Sequence, residues 1–507
     1  VLKVEKSPIR HPEADLNFVT SLRHSLVYPE KREDTKKPGI GFRSSVLRLE
    51  GGKRTIVLLG TLTKESFLWF KNLMEKVAES QQISFRCAME KVLNENTFII
   101  QLSTPLGLKE VTSFKIDNVP CNNDECMIRL TIRLDANFPP VVPLEGGEPE
   151  LRMLISDTAW LHPYSWCRIV NLKSVRIQVK VDDMKNFQLY NDLGLVDTTQ
   201  PFSPFGGNAD KGAWFAVGSY EMARKKVSHL SLSIDWRGLP NNRDGLQEYY
   251  KVYNDRGAHI QGQDPIDNKS FRVQGEFLSG YEWKSSGNEQ YLFQTSSDKE
   301  IPEPNEPLVS NSTLRMALPS MPAYHLLEDD YVFGAVPSGF FRFRFSSPEI
   351  GFGTALYRRL FAEVMMLNSR TKVQLSMPEP PIQPVVASVG LSYEADAETE
   401  FVSGGTSDVE VFYQQLVISF SGQNGKFTAP IPIIHGVDEG VRLVISLSGA
   451  KDLNILNFYL EMNKLLTEVD QIQHVTWSYR TKAGWVDIRP FNILADETYG
   501  LLQSGFV

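Results

Sequence analysis

The stretch QPFSPFGGNADKGAWFAVGSYEMARKKVSHLSLSIDWRGLP, residues 200–240, decides how the chain is read. Near its end Leu230, Leu232, Ile234 and Trp236 alternate with Ser231, Ser233 and Asp235. That period of two marks a strand with one buried face. At its start Pro201 and Pro204 lock φ and remove two backbone donors, so Phe202 and Phe205 ride on a stiff extended segment. Gly206, Gly207, Gly212 and Gly218 then permit turns that a Cβ would strain. The stretch offers no nucleophile, acid–base pair or phosphate cradle. It reads as an aromatic docking segment feeding a sheet. Its expected interface residues are Phe202, Pro204, Phe205, Gly206, Trp214, Phe215, Gly218, Ser219 and Trp236. Interface cores favour such aromatics, although Trp236 lies on the apolar side of its strand, where a core position is the simpler reading.

Strand signatures continue on both sides. Upstream, Ile128, Leu130, Ile132 and Leu134 alternate with Arg129, Thr131 and Arg133, and Val175, Ile177, Val179 and Val181 with Arg176, Gln178 and Lys180. Such alternation predicts antiparallel sheet with one wet face, and the basic residues on it are expected to meet solvent. Residues 55–59 read as a short buried strand. Residues 64–80 read as an amphipathic helix with Phe67, Phe70, Met74 and Val77 on its core face, and strands are expected to resume at Phe85.

Downstream, residues 241–287 are rich in Gly, Asn and Asp with Tyr249, Tyr250 and Tyr253 interleaved, which predicts loops on a β framework. Phe341, Phe343 and Phe345 alternate with Arg342 and Arg344, a strand with a basic outer face. A helix is expected over 352–372. Residues 377–384 carry enough proline to read as a linker. Beyond it Leu416, Ile418 and Phe420, then Leu456, Phe458, Leu460 and Met462, then the Trp477–Trp485 hairpin, predict a sandwich.

The predicted fold class is therefore β-rich α+β, several antiparallel sandwich-like domains with a few connecting helices. The expected division is a polar arm over 1–45, a mixed domain over 46–190, a central β-rich domain over 191–376 and a β-sandwich-like domain over 377–507. A chain of 507 residues is too long for one ordinary core.

A net charge of -8 argues against a nucleic-acid-binding chain, and no apolar run is long enough to span a membrane as a helix. The four cysteines, Cys87, Cys121, Cys126 and Cys167, are too few for a disulfide scaffold. Cys121 and Cys126 lack two further ligands nearby, so no metal is expected. His162 and Cys167 lie five apart without an orienting third group, which reads as a packed turn. Gly39-Ile-Gly41 lacks the third glycine of a dinucleotide fingerprint. No cofactor is expected, and no motif argues for an enzyme. Asn268 and Asn311 fit the glycosylation pattern, but no secretory signal accompanies them.

Joint order of landmarks gives a family resemblance. Pro-Phe-x-Pro-Phe-Gly at 201–206, Gly212-x-x-Phe215, Gly218-Ser-x-Glu221 followed by Lys225, and Trp236-x-x-Leu-Pro240 are its first part. Pro380-Pro381-x-x-Pro384 leading into Ser388-Val-Gly-Leu-Ser-Tyr393 is its second. Trp477-Ser-Tyr479, Trp485 and the run from Leu494 to Gly505 complete it. Together they resemble baseplate J-like wedge proteins of phage-tail-like contractile injection systems, the relatives of antifeeding-prophage particles and type VI secretion baseplates. The resemblance implies a structural subunit without enzymatic chemistry. It implies partners: a second wedge protein, copies of the chain around a sixfold ring, a spike or hub protein, and sheath and tube proteins. It implies assembly in the cytoplasm as part of a large particle, released or docked at a membrane, and further sequence beyond Val1 and Val507. The rival reading is a carbohydrate-binding or glycan-processing β protein, and a third is an all-β adhesion module.

Overall fold

A computed structural model describes residues 3–6, 37–120 and 126–401 apart from a few single or short positions, and parts of 408–506. It is a β-rich α+β protein built from antiparallel sheets. The largest sheet has eight strands. Seven run in the order β16 (Asn311–Ala317), β13 (Lys226–Arg237), β18 (Val385–Glu400), β9 (Asn171–Met184), β3 (Lys53–Leu62), β7 (Cys126–Leu134) and β6 (Phe114–Pro120), and β21 (Ile431–Pro432) also pairs with β9. The alternation read from the sequence holds here. Ile56, Leu58, Leu130, Ile132, Ile177, Val179, Leu230, Leu232 and Leu391 turn inward and are buried.

The opposite face is wet, and several of its cations are matched across strands. Arg129 holds Asp117 at 2.8 Å, Arg176 holds Asp396 at 3.0 Å and Lys180 lies 3.3 Å from Glu394. These cross-strand pairs are modest in energy and offset part of the basic rows within the sheet.

A second sheet orders β20 (Ser419–Ser421), β19 (Glu410–Gln414), β2 (Gly39–Arg43), β8 (Glu150–Ile155), β4 (Phe98–Thr104) and β5 (Gly107–Val111). Strand β2 belongs to the range expected as a polar arm. It is held because glycine lets neighbours close in: a Cβ on Gly41 would stand 2.1 Å from the Phe412 ring. A third sheet orders β11 (Gly194–Val196), β10 (Gln188–Asn191), β12 (Trp214–Gly218), β17 (Ser338–Ser347), β14 (Arg272–Ser279) and β15 (Glu282–Tyr291). Smaller pairings join β1 (Lys3–Lys6) to β22 (Phe458–Glu461), β22 to β25 (Gly505–Phe506), and β23 (Ser478–Thr481) to β24 (Gly484–Asp487), the expected Trp477–Trp485 hairpin.

Helices fill the flanks. α1 (Lys64–Gln81) starts at the Thr63 cap and buries Phe70, Leu73, Met74 and Val77, close to expectation. α2 (Phe85–Val92) replaces the strand expected at Phe85, because Ser84 caps it, its hydroxyl accepting from Cys87 N at 3.2 Å. α3 (Pro163–Cys167) sets Trp166 against Phe70 and Phe98. α4 (Tyr220–Ala223) follows β12, and α7 (Thr354–Arg370) follows β17.

The loops expected over 241–287 contain α5 (Gly245–Tyr249) and α6 (Lys251–Gln261), followed by β14 and β15. Tyr250 and Tyr253 are buried there. Their spacing, three apart, is a helical contact that the surrounding Asn, Asp and Gly obscured. The expected linker over 377–384 is strapped down by the same tyrosines. Tyr249 OH donates to Pro380 O at 2.8 Å, Tyr253 OH donates to Glu379 O at 2.7 Å, and Ile382 N donates to Tyr250 OH at 3.3 Å.

The expected domain boundaries do not separate sheets. Strands from 46–190, 191–376 and 377–507 share the eight-stranded sheet, and one continuous buried cluster runs from Ile40 to Ile434. Leu416, Ile418, Leu456, Met462 and residues 498–504 lie outside the described residues. Among the described residues no helix is long and apolar enough to cross a membrane.

Candidate functional site

The predicted docking residues come together, but most of them face inward. Phe202 exchanges backbone hydrogen bonds with Val386 at 3.1 and 2.8 Å, so the Pro-Phe segment is pinned to the start of β18. This fixes Pro204 and Phe205 below the surface, with Phe205 1% exposed. Its ring meets Phe215 at 5.4 Å and Phe345 at 5.6 Å, edge to face. Such pairs add about 0.5–1.5 kcal/mol beyond burial. Trp236 donates from Nε1 to Ser312 Oγ at 2.7 Å and packs on Phe293. Phe205, Phe215 and Trp236 are therefore core, a correction to their reading as docking anchors. Phe202 is half-buried against the same core.

Gly206 turns the chain at φ 71°. Gly218 is required for packing, since a Cβ there would stand 2.3 Å from Phe340. Ser219 caps α4, its Oγ accepting from Met222 N at 3.2 Å. Of the predicted set, the aromatics left partly open are Phe202 and Trp214.

The cap aims Glu221 into a buried charged cluster. Lys225 Nζ donates to Glu221 Oε1 at 3.2 Å, to Tyr393 OH at 2.5 Å and to the Arg48 carbonyl. Tyr393 OH in turn donates to Glu221, and Glu50 N donates to Glu221 Oε2 at 2.8 Å. Lys225 and Glu221 side chains are 0% and 1% exposed. Burial pulls the Lys225 ammonium below the usual lysine range while Glu221 opposes that pull. Burial, and then the Glu221 carboxylate, push the Tyr393 phenol well above its ordinary value. Beside it Arg54 feeds its guanidinium into the carbonyls of Leu49, Asp135, Phe138 and Pro139 at 2.6–3.2 Å. The group links α4, the 48–54 segment and β18. With both charged side chains sealed from solvent, the group acts as a fastener between these elements.

The open site lies on the other face of the third sheet. Trp214, Arg342 and Arg344 stand side by side on β12 and β17, and Glu276 stands opposite Arg342 on β14. Glu276 grips Arg342 at 2.6 Å and Arg344 at 3.2 Å. The Arg342 guanidinium stacks 4.2 Å from the Trp283 ring centroid and 5.8 Å from that of Trp214. Burial holds Arg342 somewhat below the usual arginine range, against the Glu276 carboxylate. The product is a partly open, preorganised tryptophan–arginine platform, a residue combination enriched in protein-binding hot spots. The alternation at 341–345 had exposed Arg342 and Arg344. Trp283 and Glu276 carried no local signal, because only the register across β14 and β17 brings them there.

Other candidates fall away. Cys167 is fully buried, which raises its thiol pKa well above the ordinary value, and Cys121 and His162 lie outside the described residues. Among the described residues no three His, Cys, Asp or Glu side chains are grouped to hold a metal. Compared with known proteins, the chain matches no family model and no curated protein.

Proposed function

We propose that this chain is a structural wedge subunit of a contractile injection baseplate, joining copies of itself, a second wedge protein and the spike, sheath and tube proteins. One observation carries the reading: the landmark residues Gly218, Ser219, Glu221, Lys225 and Tyr393 all serve architecture. Glu221, Lys225 and Tyr393 meet in a buried fastener that ties α4 to β18 of the largest sheet, Ser219 caps α4, and Gly218 makes room for the Phe340 ring. A subunit that transmits a trigger through contacts needs such rigidity, and it needs a surface to contact with. The Trp214–Arg342–Trp283 platform supplies that surface. The glycan reading had rested on acidic and aromatic residues in loops, whereas Tyr253 is buried on α6, Tyr250 is buried in the turn between α5 and α6, and Tyr249 is half-buried on α5.

The test is capture from the source organism with a tagged chain and identification of partners by mass spectrometry. Sheath, spike and second-wedge proteins are expected, and Trp283→Ala is expected to reduce their recovery severalfold. Capture of the chain alone would overturn the reading.

A further inference from the structure

We propose that copies of this chain associate head to tail, the outer face of α7 on one copy docking against the 326–332 turn of the next. The contact deepens the assembly reading and rests on it for its purpose, though not for its geometry.

The α7 face carries both an apolar and a basic surface. Helical spacing aligns Arg358, Ala362, Met365, Met366 and Ser369 on one exposed stripe, flanked by Arg359, Arg370 and Lys372. Met365 and Met366 are 56% and 57% exposed, and Val373 just beyond the helix is 77% exposed. Exposed methionines adapt their shape to a partner, and a cluster of them beside four cations is costly to leave in water without a use. Arg256 engages Glu363 on the helix flank, leaving the stripe itself outside that ion pair.

The turn carries the opposite character. Glu328, Asp329 and Asp330 are exposed, and Leu327 and Val332 beside them are 72% and 54% exposed. Arg48 takes Glu328 at 2.8 Å. Apolar residues with anions on one surface thus match apolar residues with cations on the other, the condition for a charge-steered contact.

Placement decides the symmetry. Tyr331 stacks on Phe340 at 5.0 Å, which seats the turn on the platform face of the third sheet. Phe352, at the entry to α7, stacks on Phe345 at 5.1 Å, and Phe345 points to the other face of the same strand. The two surfaces therefore lie across one sheet from each other. Patches on opposite faces cannot both be engaged between the same two copies, so each pair leaves one of each open and the contact propagates into a ring or a filament.

A charge swap tests this in the full 507-residue chain. Sedimentation is measured at low salt, where the Debye length is about 10 Å or more, and near 1 M salt, where it is about 3 Å. The unaltered chain is expected to self-associate at low salt and to dissociate at high salt. Asp329→Lys with Asp330→Lys, and separately Arg358→Glu with Arg359→Glu, should each be monomeric at concentrations where the unaltered chain associates. Mixing the two variants should restore association, because each unaltered surface then meets a complementary one. Unchanged melting temperatures guard against misfolding, since all four residues are exposed. A monomeric unaltered chain, variants that associate as it does, or a mixture that stays monomeric would each overturn the contact. If that happens while capture still recovers sheath and spike proteins, the wedge reading stands and only this interface falls.

Discussion

At the residue scale the Glu221–Lys225–Tyr393 group makes the sharpest demand on energetics. A buried ion pair gains little over an apolar replacement, yet removing one partner strands the other charge. Lys225→Met is therefore expected to destabilise the chain by about 3–5 kcal/mol. Glu221→Leu combined with Lys225→Met should cost clearly less than the single change, because no uncompensated charge remains. Denaturant unfolding of the three proteins reads the difference. Additive costs would show that the pair is not coupled. The sequence placed Glu221 and Lys225 four apart, but Tyr393 and the Arg48 carbonyl come from 168 and 177 residues away. That distance is why the cluster was legible only as a landmark and not as a contact.

Among elements, local chemistry was readable wherever periodicity ran long enough. Strands β7, β9 and β13 and helices α1 and α7 follow from alternation or helical spacing. Helix α2 has only eight residues, too few for its period to outweigh the aromatic and β-branched residues around it. The tyrosines of α5 and α6 sat among turn formers and were read as loop. The Pro-Phe segment was recognised as special, but the burial of Phe205 depends on the Phe202–Val386 pairing, an isolated bridge to β18 across 184 residues that no local window contains. Phe205→Ala should accordingly lower stability by about 3–5 kcal/mol, whereas Trp283→Ala on the open platform should cost markedly less. The first unfolding transition in urea distinguishes them. Equal costs would mean that the platform is core, or that Phe205 is not.

The whole molecule departs most from its sequence reading in connectivity. The expected class, β-rich α+β with antiparallel sheets, is what the described residues form. Strand β18, however, threads between β13 and β9, so the proline-rich segment before it joins sheets instead of separating domains. Long-range register of this kind is set by matching buried faces, which a linear pattern does not encode. The resulting body buries Phe205, Phe215, Glu221, Lys225, Trp236 and Tyr393 and leaves the tryptophan–arginine platform partly open. The most direct test is the native mass of the complex that holds this chain in its source organism, measured on a gently purified sample. A particle many times the mass of one chain, containing sheath and spike proteins, is the predicted result. A chain that sediments alone, at its own mass, would contradict it.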